Sequence, residues 1–163
     1  MIIAITGHRP QKLLAPNVER TTRGILHWAF QTMKPTWVIS GMALGVDQWA
    51  AEEAMLLDIP VLAAIPCLEQ EKFWGPRAKE TYHTLLAKAK AKEFVTQGPY
   101  TKGCMQQRNQ WMVDRAQALV AVFDGTAGGT ANCVRYALEH RAHFQRQLPI
   151  LRFDPSNSKS EWL

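Results

Sequence analysis

Thr36-Trp37-Val38-Ile39-Ser40-Gly41-Met42-Ala43-Leu44-Gly45-Val46-Asp47 is the stretch that decides the fold. Its apolar head, Trp37 to Ile39, reads as a buried strand. The chain then stops at Ser40-Gly41, passes Gly45 and Asp47, and enters a helical run from Gln48 to Leu57. A strand that feeds a helix through a turn of small residues leaves backbone N–H groups bare, with the positive end of the helix dipole behind them. Such a turn suits a phosphate or a carboxylate. Two further turns share its character, at Thr6-Gly7 and from Asp124 to Thr130.

Outward from that stretch, strands and helices alternate. Ile2 to Ile5 reads as a first strand, Pro60 to Ile65 as a third, Glu93 to Thr96 as a fourth, Ala118 to Phe123 as a fifth and Leu148 to Phe153 as a sixth. Helices are expected over Pro16 to Met33, Ala43 to Leu57, Pro76 to Lys92, Cys104 to Ala116 and Gly129 to Phe144. Short, continuous apolar strands with amphipathic helices between them predict an α/β domain over residues 1–153, a mainly parallel sheet of about six strands flanked by helices on both faces. Residues 154–163 are expected to be a frayed tail. Right-handed crossovers gather the loops that follow the strands at one edge, where ligands bind in open sheets.

Composition narrows the partners. A chain of 163 residues with 47% hydrophobic and 20% charged residues is that of a globular domain with a real core. The formal charge of +5 suits an anionic ligand. Lys88, Lys90 and Lys92 are spaced along what reads as a helix, a solvated face rather than a nucleic-acid patch, so nucleic acid is disfavoured. Cys67, Cys104 and Cys133 are odd in number and far apart, which argues against a disulfide framework and against a metal site. No apolar stretch reaches the ~18 to 20 residues of a membrane span, and the opening Met-Ile-Ile-Ala-Ile lacks a charged leader. A cytoplasmic protein without a membrane partner is expected.

Each loop then offers particular chemistry. Thr6, Gly7, His8 and Arg9 supply a hydroxyl, a bare backbone, an imidazole and a fixed cation. Arg9 suits a bidentate contact to phosphate or carboxylate, and His8 either a base or a stacking role, although no acidic residue adjoins it in sequence. Ser40, Gly41 and Gly45 allow close approach to the backbone. Asp47 either bonds a ribose hydroxyl or caps its helix. Glu69 and Trp74 belong to a third loop, whose Phe73 and Trp74 either stack on a base or cover the core edge. Arg108 lies at the edge of the buried stripe marked by Met105, Met112 and Ala116, beside Asn109. It needs an internal carboxylate or a bound anion, and ligand contact is favoured. Asp124, Gly128, Gly129 and Thr130 form the richest anion-binding candidate, free of any Walker A or G-x-G-x-x-G pattern.

Read together, these strings resemble the SLOG superfamily, the Rossmann-like group that unites the DprA/SMF proteins and the LOG phosphoribohydrolases, and within it the YpsA-like branch. The resemblance runs through Ile5-Thr6-Gly7 with Arg9-Pro10, Ile39-Ser40-Gly41 with Leu44-Gly45-Val46, and Trp49-Ala50-Ala51-Glu52. It continues with Pro66, Glu69 to Lys72 with Trp74, Arg108-Asn109-Gln110 with Val113-Asp114, and Gly129-Thr130. It implies a homo-oligomer that binds a nucleotide or a nucleotide-derived small molecule related to ADP-ribose or NAD, as sensor, carrier or sequestering protein, with no cofactor required. Two alternatives come with it: a nucleoside monophosphate phosphoribohydrolase, and a single-stranded DNA-binding protein of DprA type. The position at which the hydrolases carry their catalytic Glu holds Cys133, and a thiol is a poor substitute for a carboxylate beside ribosyl cation character.

Overall fold

The computed structural model describes residues 1–163. Seven strands and five α-helices follow one another as β1 (Ile2–Gly7), α1 (Val18–Met33), β2 (Trp37–Ser40), α2 (Val46–Leu56), β3 (Val61–Ile65), α3 (Pro76–Lys88), β4 (Ala91–Phe94), α4 (Cys104–Arg115), β5 (Ala118–Val122), α5 (Gly129–His143), β6 (Ile150–Asp154) and β7 (Lys159–Trp162). The sheet order is β4-β3-β2-β1-β5-β6-β7. All neighbours are parallel except β7, which runs antiparallel to β6. This is the Rossmann-like α/β architecture.

Strand pleat divides the core into two layers. Ile3 and Ile5 of β1, with Val120 and Val122 of β5, point to the face covered by α1, α2 and α3, where Leu26, Phe30, Val46 and Leu85 are buried. Ala4, Leu119 and Ala121 point to the other face, against Met112 of α4 and Val134 of α5. The chain steps outward from β1 to β4 on one side, then returns to set β5 against β1 on the other. That reversal splays the loops after β1 and β5 apart and opens a crevice at their carboxyl ends.

Three expectations need correction. The tail is not frayed: Leu151 to Asp154 pairs with Lys159 to Trp162 across a turn in which Asp154 accepts from Ser156 N–H (2.9 Å). Helix α3 stops at Lys88 rather than Lys92, and β4 begins at Ala91 rather than Glu93. Good helix formers there alternate Ala with Lys, and that period of two is a strand pattern: Lys88, Lys90 and Lys92 are exposed while Ala89 and Ala91 turn partly inward. Helices α1 and α2 each start later than expected, at Val18 and Val46. In α2 the positive φ of Met42 (57°) and Gly45 (91°) keeps the preceding residues out of the helix.

Candidate functional site

At the end of β1 the chain turns directly into the crevice. His8 N–H donates to Val122 O of β5 (3.0 Å), which extends the β1–β5 pairing by one residue. Pro10 then opens a short 3-10 turn that carries Lys12 across to the loop after β5. There its ammonium donates to Thr126 Oγ1 (2.9 Å) and to Ala127 O (2.8 Å). The two loops thus wall a cavity of about 280 Å³, closed below by Ala43 of the β2–α2 connection, by Asp47 in the first turn of α2 and by Met105, Arg108 and Asn109 of α4.

Of the residues singled out in the sequence, Thr6, Gly7, His8, Arg9, Asp47, Arg108, Asn109, Gly128, Gly129 and Thr130 line this cavity. Gln11, Lys12, Ala43 and Met105 also line it and were not anticipated as site residues. Lys12 was legible in principle, because a cation three residues past Arg9 on a proline-started turn shares its face. Met105 reads from its helical position as core, and nothing in the sequence separates it from that role.

Anion-binding character is concentrated on one wall. No side chain caps α5, so the N–H groups of Gly129, Thr130 and Ala131 have no acceptor within the helix. Arg9 makes no ion pair, and Lys12 has only neutral acceptors. Two cations without counter-ions thus stand over a helix N-terminus.

The floor is a buried ion pair. Arg108 Nη1 lies 3.8 Å from Asp47 Oδ2, and both side chains are almost wholly covered. Arg108 also donates to Gly41 O, to Ala64 O (3.4 Å) and to Asn109 Oδ1 (3.0 Å). Burial pushes the Asp47 carboxyl up and draws the Arg108 guanidinium down, each opposed by the other's charge. Arg108 therefore takes the internal-carboxylate option, with backbone carbonyls beside it, and turns only part of its surface to the cavity. Asp47 spends Oδ2 on Arg108 and on Ala43 N–H (3.4 Å), leaving Oδ1 free of protein partners.

His8 has the partner that its sequence neighbourhood lacks. Its Nε2 lies 2.8 Å from Asp124 Oδ1, across 116 residues of chain. Asp124 Oδ1 also accepts from Thr126 N–H (2.9 Å) and Thr126 Oγ1 (2.6 Å). Those Thr126 bonds, and then His8, hold the Asp124 carboxyl well below the usual carboxylate range.

Six of the ligand contacts expected from the sequence lie outside the cavity lining. Ser40 is buried and ties the β2–α2 connection, donating to Asp47 O (2.7 Å) and accepting from Met42 N–H (3.1 Å). Gly41 is small for an internal reason: a Cβ there would fall 1.7 Å from Arg108 Nη1. Gly45 combines its positive φ with a close approach to His8 O, 2.8 Å from where its Cβ would be. Glu69 is exposed, and Trp74 packs edge-on against Tyr82 (5.4 Å) as part of the core. Asp124 acts from behind, through His8. Cys133 is buried at the base of the site, where burial pushes its thiol up to about 11 against the opposing effects of Thr6 and Arg108.

No helix is long and apolar enough to cross a membrane. No group of three or more His, Cys, Asp or Glu side chains is gathered as metal ligands.

Comparison with known proteins places this geometry among relatives. A family model described as the YspA SLOG family matches residues 3–155. The UPF0398 protein YpsA of Bacillus subtilis strain 168 is 28% identical over 156 residues, covering 86% of this chain and 85% of its own. Among solved structures, DNA processing protein A from Helicobacter pylori, studied for its single-stranded DNA binding mode, superposes with a TM-score of 0.65 at 18% identity, covering 96% of this chain and 70% of that one. The molybdenum cofactor carrier protein from Chlamydomonas reinhardtii superposes with a TM-score of 0.59 at 16% identity, covering 96% and 78%. At such identities the two structural likenesses concern the fold alone.

Proposed function

The chain belongs to the YspA SLOG family, and from that premise we propose that it is a binding module for a phosphate-bearing, nucleotide-derived small molecule held in the crevice between β1 and β5. The single observation that carries this reading is the uncapped N-terminus of α5 facing Arg9 and Lys12, two cations with no carboxylate partner. A phosphate there accepts from the N–H groups of Gly129 and Thr130 and neutralises the cations. The free Oδ1 of Asp47 stands on the cavity floor as an acceptor for a ribose hydroxyl. ADP-ribose-like and NAD-derived molecules satisfy both demands, and a carrier protein for another small cofactor uses the same fold. A role as sensor, carrier or sequestering protein follows from binding without turnover.

Thermal denaturation with AMP, ADP-ribose and NAD tests this. Ligand at a hundred times its Kd adds about 2.7 kcal/mol, a rise in Tm of about 5 to 10 °C for a chain of this length. No rise with any of the three refutes the reading.

A second reading, N-glycoside hydrolysis, draws on the His8–Asp124 pair, an imidazole oriented by a carboxylate at the cavity wall. Against it stands Cys133, buried and protonated where that chemistry needs a carboxylate. We expect no free base from AMP or NAD by chromatography. Robust release would replace the binding reading with a hydrolase that uses His8.

A further inference from the structure

Lys12 stands between two cavities. On its far side lies a second chamber of about 430 Å³, and Gln11 and Lys12 are common to both linings. Leu14, Ala15, Val18 and Pro155 form its apolar side, while Asp124 and Ser156 bring polar groups. Leu14, at its rim, is 83% exposed, a large apolar side chain left without cover. Nothing in the phosphate-pocket reading uses this chamber.

We infer that the site is bipartite, with Lys12 as the bridge: the second chamber takes a second, hydroxylated and partly apolar group of the same ligand. The ligand class is then a two-headed nucleotide joined through its phosphates rather than a mononucleotide. This rests on the phosphate-binding reading of the first cavity.

Three observations carry it. The first cavity, at about 280 Å³, falls just below the ~300 to 1,000 Å³ that small-molecule sites occupy, so a ligand larger than a mononucleotide must extend out of it. The second chamber adjoins it at the shared Gln11 and Lys12. Next, Lys12 is held there by a hydroxyl and a carbonyl and not by a carboxylate. It can exchange neutral acceptors for phosphate oxygens without breaking an ion pair, so a linking phosphate crosses a cation already in position. Finally, Asp124 uses only Oδ1 for His8 and Thr126 and has no protein donor on Oδ2. In the second chamber that oxygen is a fixed acceptor for a hydroxyl, beside an apolar wall suited to the body of a sugar or base.

Calorimetric titration with AMP and with ADP-ribose tests the inference. The native protein is expected to bind ADP-ribose about tenfold or more tightly than AMP. Ala15→Trp fills the second chamber from a half-buried wall position without touching the first cavity. It is expected to leave AMP affinity within about twofold while removing the ADP-ribose advantage. Ser156→Trp, from the opposite wall, repeats the test should Ala15→Trp fail to fold. Binding of AMP with no ADP-ribose advantage, or an advantage that survives a filled chamber, overturns the bipartite site alone. Failure of both probes to bind overturns the phosphate pocket and the bipartite site together.

Discussion

Gly129 and Arg108 show how differently two cavity-lining residues act. A Cβ at Gly129 meets nothing within 4 Å, so branching from the backbone there meets no clash. Gly129→Glu places a carboxylate at the helix N-terminus, where it interacts favourably with the dipole by about 0.3 to 1 kcal/mol. It also takes the place of the ligand's anion. The variant should melt at or slightly above the native temperature and lose the stabilisation that ADP-ribose confers; retained stabilisation would remove this loop from the site. Arg108 presents the opposite case. Arg108→Ala strips the buried Asp47 of its counter-ion and leaves the carbonyls of Gly41 and Ala64 without their donor. Loss of one member of a buried pair costs about 3 kcal/mol, so the variant should unfold at lower urea with ligand absent as well as present. An unchanged urea midpoint would mean that Arg108 carries no structural role and acts on the ligand alone. The sequence marked both residues as ligand contacts and put Arg108 near the edge of the buried stripe, whereas the fold buries it. It missed the partner because Asp47 lies 61 positions away, a separation that no helical spacing reveals.

Among the elements, β7 has the least obvious role. It adds an antiparallel edge to β6, and through β6 it reaches the candidate site. Arg152 of β6 pairs with Glu161 of β7 (2.7 Å) and with Asp154 (3.6 Å), and stacks over the Phe123 ring (4.9 Å). Its Nη2 lies 3.1 Å from the position a Cβ would take at Gly125, in the loop that leads to α5. The last strand thus braces the glycine loop from behind. Glu161 is half exposed, so its pair alone contributes less than about 1 kcal/mol, and the backbone pairing matters more. Truncation after Ser158 should therefore lower the hydrogen-exchange protection of the Arg152 and Asp154 amides, which face β7, while leaving β1 and β2 unchanged. A frayed tail would give no change in β6. The tail was misread because Asp154 to Ser158 is turn-rich and Lys159 to Trp162 is wholly exposed, so it shows no buried face for a pattern to detect.

For the whole molecule, the net charge of +5 matters less than where the cations stand. Arg9 and Lys12 converge on one cavity, whereas Lys88, Lys90 and Lys92 lie along the end of α3 and the exposed edge strand β4. Lysines on an open edge discourage pairing with other strands, which gives them a role apart from ligand binding. Single-stranded DNA should accordingly meet only the two cavity cations. The affinity for an oligothymidylate should fall with salt at a logarithmic slope no steeper than about −1.5, near 0.7 per phosphate neutralised. A slope several times steeper would reveal a continuous basic track and favour the DNA-binding alternative.

By itself the sequence determined the order of elements as far as β6, the parallel α/β class and the edge at which the polar loops collect. Each of those rests on short-range physics: apolar runs bury strands, helical periodicity buries one face, and small residues permit strand-to-helix turns. It also located the α5 glycine turn, because bare N–H groups at a helix start are a local property. Only the tertiary structure decided who meets whom. The return of β5 to the side of β1 creates the crevice, brings Asp124 to His8, and lays Lys12 across the glycine loop between two cavities. It also reassigns Gly41 and Gly45 from ligand approach to contacts with Arg108 and with the His8 backbone. Strand order is settled by the burial of both sheet faces at once, a sum over the whole chain, and no local pattern encodes the side-chain partners that this order brings together.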